Sequence, residues 1–113
     1  MIHFLDAPPS DEQLEQMSEA LDIYIKLAVD VELGVLAGGG ALHSDCEAVL
    51  LDHGCEQVHI WGADWIPHNK SVTFESLINI RPGQGNLSLE IQDPVLRDRV
   101  EKVVRDIFDD GSN

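Results

Sequence analysis

The chain reads as a single α+β domain: a largely antiparallel sheet of about five strands in two hairpins, with three helices. Three observations lead there. Apolar and polar residues alternate with period two over 23–31 and again over 72–81, the rhythm of strands with one buried face. Helix-start signals stand at Ser10, Ser44 and Asp93. Hydrophobic residues make up 43% of 113, enough to fill one core without metal or disulfide staples.

Residues 1–9 are a short apolar lead closed by Pro8-Pro9. Ile2, Phe4 and Leu5 suit a brief edge strand or packing onto the core. Ser10 with Gln13 makes a capping box, and Leu14, Met17 and Leu21 recur at helical spacing, predicting a helix over 11–21. Ile23, Ile25, Leu27, Val29 and Val31 then alternate with polar or small residues as a strand. Glu32-Leu33-Gly34 is its turn and Val35-Leu36-Ala37 its return. Gly38-Gly39-Gly40 reads as a loop leading to a second capping box, Ser44 with Glu47. The helix that follows runs from Asp45 to about His53, with Gly54 at its C-terminal stop.

A third strand is expected at 58–62 and a loop over 63–69. The second hairpin pairs 72–80 with 87–91 across the turn formers Pro82-Gly83-Gln84-Gly85-Asn86. Asp93-Pro94 opens the last helix, whose stripe is Val95, Leu96, Val100, Val103, Val104, Ile107 and Phe108. Asp98–Lys102 and Glu101–Arg105 are i,i+4 pairs on its surface. Residues 110–113 read as a flexible tail.

Seven basic residues against twenty-one acidic ones give a net charge of −14, which repels phosphate backbones and anionic membranes. Nucleic acid and membrane are therefore not expected partners. No apolar run is long enough to span a bilayer, and no basic-then-apolar leader opens the chain, so a cytoplasmic location is the expectation. Cys46 and Cys55, nine residues apart, would be separated by about 13.5 Å along one helix, too far for a disulfide.

The glycine loop before a helix invites a phosphate. Asp45 and the expected cap at Ser44 and Glu47 oppose that, and no lysine follows as in a P-loop. His43, Asp45, Glu47 and His53 do not have converging metal-ligand spacing, so neither metal nor cofactor is expected. His43 and Asp45 remain candidates for an acid–base couple. Cys46, between Asp45 and Glu47, reads as an inert core thiol. The polar face of the expected second hairpin is the richer surface, where Asn79, Arg81 and Asn86 have the fork and amide donors that recognise a carboxylate or phosphate. Trp61 and Trp65, in an aromatic-poor chain, suit either stacking on a ligand or plugging the sheet edge.

Several strings together resemble a small bacterial family known only as a domain of unknown function. They are Val29-Asp30-Val31-Glu32, Gly39-Gly40-Ala41-Leu42-His43-Ser44-Asp45 with Glu47, Trp61-Gly62, Leu77-Ile78-Asn79-Ile80-Arg81-Pro82, Gln84-Gly85-Asn86 with Ser88, and Asp93-Pro94 with Arg97. The resemblance implies a stand-alone domain and carries no activity. Leu87 departs from it, where related chains have arginine. The shared polar positions His43, Asp45, Asn79, Arg81, Asn86 and Arg97 suggest one cluster.

The leading expectation is a binding or interaction module. Asn79, Arg81, Asn86 and Arg97, with Trp61, would contact a small acidic ligand or a protein partner. The rival is a small hydrolase or isomerase using His43 and Asp45 as an acid–base pair, with or without an assisting metal. A third reading is a homo-oligomer, most simply a homodimer, joined through a sheet edge or the tryptophan loop.

Overall fold

The computed structural model describes residues 1–109, so the expected tail at 110–113 lies outside the described residues. Five strands form one wholly antiparallel sheet: β1 (His3–Leu5), β2 (Ile25–Asp30), β3 (Val35–Gly40), β4 (Ile60–Ile66) and β5 (Ser71–Thr73), in the order β1-β3-β2-β4-β5. Three helices complete the α+β fold: α1 (Asp11–Met17), α2 (His43–Asp52) and α3 (Pro94–Phe108).

The sheet is covered on both faces. Ile25, Leu27 and Val29 of β2 share one face with Trp61, Ala63 and Trp65 of β4, packed on Met17 of α1 and on Val100, Val103, Val104 and Ile107 of α3. The opposite face is built small, with Ala28, Ala37 and Ile60 meeting Cys46 and Leu50 of α2 and Cys55 just beyond it. Two alanines bring the helix close to the sheet but leave little apolar area to hold it. A buried leucine is worth roughly 1.5–3 kcal/mol, so α2 needs further attachments.

The first hairpin is as expected. Asp30 Oδ1 accepts from the Glu32 and Leu33 amides at 2.9 Å each, and Gly34 takes the positive φ of +70° that closes the turn. Its strands differ at the ends. Ile23 is 72% exposed and precedes β2. The three glycines are strand, not loop: β3 continues through Gly40. Gly39, at φ +107°, sits where the register slips between Lys26 and Leu27, a bulge only glycine accepts readily.

Three further expectations are corrected. The first helix ends at Met17 rather than at 21, with Ser18 as its C-terminal cap residue and the Ser18 hydroxyl donating to the Leu14 carbonyl at 2.9 Å. Helix α2 starts at His43 with Leu42 as its cap residue and no side-chain cap, so the Ser44–Glu47 box does not form. The expected loop at 63–69 is mostly β4, where the Trp61, Ala63, Trp65 alternation is hidden by Gly62 and Asp64 on the other face. The second hairpin is thus β4–β5, not 72–80 with 87–91. Beyond Thr73 the chain makes 3₁₀ turns at Leu77–Asn79 and Pro82–Gln84, and only the isolated bridges Glu75–Glu90 and Arg81–Asn86 join its two arms.

Helix α3 keeps its expected start, with Asp93 accepting from the Val95 amide at 2.9 Å and Pro94 at the first position. Val95 is exposed and leaves the stripe. Glu101–Arg105 forms at 2.7 Å, while Lys102 pairs with Asp106 rather than with Asp98.

Both cysteines are free and buried. Burial raises the Cys46 thiol. Burial, reinforced by the neighbouring Asp30 carboxylate, pushes the Cys55 thiol up to about 11. The unfolded thiol releases its proton at its ordinary value near 9. Between those values the unfolded state binds fewer protons, so stability falls as pH rises. Urea midpoints measured from pH 8 to pH 10.5 should decline, and Cys55→Ala should flatten the decline even if it lowers stability throughout. An unchanged slope in that variant would show that Cys55 does not carry the effect.

Candidate functional site

The segment 74–91 runs along the free edge of β4, with Phe74 and Ile91 in the α3-side core, and a glycine admits its Ser76–Asn79 turn on the α2 side. A Cβ on Gly62 would collide with the Ser76 side chain. With no Cβ there, the Asn79 side chain reaches the outward edge of β4. Its Oδ1 accepts from the Gly62 amide at 2.8 Å, and its Nδ2 donates to the Gly62 carbonyl at 3.0 Å. The carboxamide thus pairs with Gly62 as a neighbouring strand would, at a position β5 does not reach. Nδ2 also lies 3.1 Å from the Phe74 carbonyl and 3.2 Å from that of Leu89, which ties the two arms of the segment together. Asn86 repeats the device: its Nδ2 serves the carbonyls of Asn79, Ser88 and Glu90 at 2.8, 3.0 and 2.9 Å, and its Oδ1 accepts from the Gln92 amide at 2.8 Å.

Asn79 and Asn86, expected on a solvated sheet face, are therefore buried main-chain clamps with no group left for a ligand. Arg81 is similarly engaged. Its Nε donates to the Ile78 carbonyl at 2.9 Å, and one terminal nitrogen donates to the Gln57 carbonyl at 2.7 Å and to Gln84 Oε1 at 3.3 Å. The other faces Glu47 Oε2 at 3.4 Å, and the guanidinium carbon lies 4.6 Å from the centroid of the Trp61 ring. Burial lowers the guanidinium from its ordinary range, and the Glu47 charge opposes that shift. The pairing explains why Glu47 does not return to cap its own helix. Trp61, 4% exposed, is a core residue under this arginine. Arg97 is elsewhere, on α3 over the Phe74 ring at 4.7 Å. The expected cluster of six polar residues does not assemble.

His43 has a different partner from the one expected. Asp45 is exposed, whereas His43 Nε2 lies 2.8 Å from Asp64 Oδ1 and 3.2 Å from the Ala63 carbonyl. Both neighbours are acceptors, so in the neutral ring Nε2 carries the proton and Nδ1 the lone pair. Asp64 Oδ2 in turn accepts from the Thr73 hydroxyl at 3.0 Å. The side chains of His43 and Asp64 are 10% and 12% exposed. Asp64 was hidden in the sequence by its distance of twenty-one residues from His43. The available signal was a lone carboxylate on the small-residue face of Trp61-Gly62-Ala63-Asp64-Trp65.

Beside this pair is a pocket of about 330 Å³ between the start of α2 and the 74–91 segment. Leu42, Leu77, Ile78 and Leu89 form its apolar wall, and Lys26, His43, Ser44 and Glu75 its polar groups. Leu77 and Ile78 are shared with a shallower recess of about 280 Å³ that contains Glu47, Gln57 and Arg81. One 3₁₀ turn therefore separates the histidine–aspartate pair from the arginine–glutamate pair. Among the described residues no group of three or more His, Cys, Asp or Glu converges as a metal site.

The clamp predicts a contrast between two glycines. Gly62→Ala forces the 74–79 segment off the sheet and should cost about 1–3 kcal/mol, the range for overpacking. Gly83→Ala, where a Cβ meets open space, should leave the urea midpoint unchanged. Equal midpoints for the two variants would contradict the clamp.

Neither a curated protein nor a solved structure matches the chain. A family model described as a protein of unknown function, DUF5674, matches residues 3–107. That match takes in every element of the sheet, all three helices to within one residue, and the whole of the clamp and pocket. The chain belongs to this family.

Proposed function

We propose that the protein is a binding module and that its ligand is a small organic molecule held in the pocket beside His43. The observation that carries this reading is the pocket's mixed lining. Leucines at 42, 77 and 89 remain 56%, 78% and 40% exposed, next to a histidine whose ring is fixed by a carboxylate. Pockets of about 300 Å³ and above, mostly apolar with a few placed polar groups, are the usual form of small-molecule sites. The site is centred on His43 and Lys26 rather than on Arg81, whose guanidinium already serves the Ile78 and Gln57 carbonyls, Gln84 and Glu47. This moves the expected acidic-ligand contact from the arginine to Lys26.

The His43–Asp64 pair favours a second reading, an enzyme in which His43 Nδ1 takes a proton from substrate or water. Asp64 fixes the tautomer that such a base requires. In a panel of ester, lactone and amide substrates, turnover should then disappear in His43→Ala and Asp64→Asn and persist in Asp45→Asn. Turnover that survives His43→Ala would remove this reading.

The binding reading is tested by titrating isotope-labelled protein with a panel of neutral and charged fragments. Amide shifts should concentrate at Ser44, Leu77, Ile78 and Leu89. Leu77→Asp, an exposed position whose change leaves the core intact, should abolish them. Shifts scattered over the surface, or undiminished in that variant, would refute the assignment.

A further inference from the structure

We infer that the pocket takes a zwitterion with an apolar body, of the class of α-amino acids with aliphatic or aromatic side chains; this rests on the binding reading above. The pocket presents one cation and one anion, Lys26 and Glu75, together with the apolar wall of Leu42, Leu77 and Leu89. Neither charge has an ion-pair partner among the described residues, and they are not paired with each other.

The anionic side is reinforced by an unfavourable arrangement within the protein. Glu75 and Glu90 face one another across an antiparallel bridge. The flanking bonds run from the Ser76 amide to the Leu89 carbonyl at 3.0 Å and from the Ile91 amide to the Phe74 carbonyl at 3.2 Å. The glutamates therefore occupy a non-hydrogen-bonded pair, the kind in which side chains stand closest. Like charges directly opposed in this way are destabilising. Glu75 is the member of the pair that lines the pocket, and a ligand ammonium on it offsets the repulsion from Glu90. The ligand carboxylate is matched by Lys26, and the side chain lies against the leucines. A purely anionic ligand would leave the glutamate pair unrelieved, and a purely cationic one would leave Lys26 unmet, so the zwitterion satisfies both ends.

The test uses the intact protein and three probes of nearly equal apolar size: L-leucine, N-acetyl-L-leucine and L-leucinamide. L-Leucine should shift the amides of Ser44, Leu77 and Ile78, and each blocked analogue should bind roughly tenfold weaker or worse, because each leaves one charged partner unmet. Lys26→Met should abolish the preference over leucinamide, and Glu75→Gln the preference over N-acetyl-leucine. Equal binding of all three probes would overturn the zwitterion inference while leaving the binding reading in place. Shifts from other fragments at the pocket without any from L-leucine would do the same. Silence from the three probes and from the whole fragment panel would refute both.

Discussion

The contact on which the second layer depends is the pairing of one asparagine side chain with one glycine backbone. Gly62 lies inside β4, and its outward N–H and C=O point past the end of a three-residue neighbour. Buried main-chain groups must find partners. The Asn79 carboxamide supplies a donor and an acceptor at strand spacing, and the absent Cβ of Gly62 lets it approach. Once that pairing forms, the 74–91 segment has a fixed height and rotation over the sheet. Leu77 and Ile78 then wall the pocket, and Arg81 reaches Glu47.

Helix α2 shows why polar contacts matter on this face. It fully buries only Cys46 and Leu50, with Val49 half-buried and His53 stacked on Phe4 at its C-terminal end. His43 and Glu47 lie four residues apart, on one side of the helix. One is held by Asp64 and the other by Arg81. The two pairs add to those apolar contacts in fixing the helix, and the same orientation brings His43 to the pocket. Structural and functional roles therefore overlap at His43, while Arg81 is wholly structural in its contacts.

Local signals in the chain were reliable where one principle acted alone. The last helix has a cap, a proline and a stripe from which only Val95 departs, and it forms over the expected residues. The hairpin closed by Asp30 and Gly34 is similar. The misplaced second hairpin shows where periodicity fails. Val72, Phe74, Ser76, Ile78 and Ile80 alternate as a strand would, but Ser76 and Asn79 bond the backbone and turn the chain, leaving Leu77 at 78% exposed. The displaced strand was present at 60–66, where glycine and aspartate interrupt the apolar run because that face receives a second layer. The candidate site was half legible. His43 was visible as a polar residue at a helix start, but its partner lies across the fold, and the asparagines that looked like ligand donors satisfy carbonyls instead.

The placement of the 74–91 segment therefore rests on the hold of Asn79 on the Gly62 amide. Native-state hydrogen exchange measures this directly. The account predicts that the Gly62 amide exchanges only as slowly as the paired interior of β2 and β4, through global unfolding. Exchange of that amide as fast as that of exposed Gly83 would contradict it.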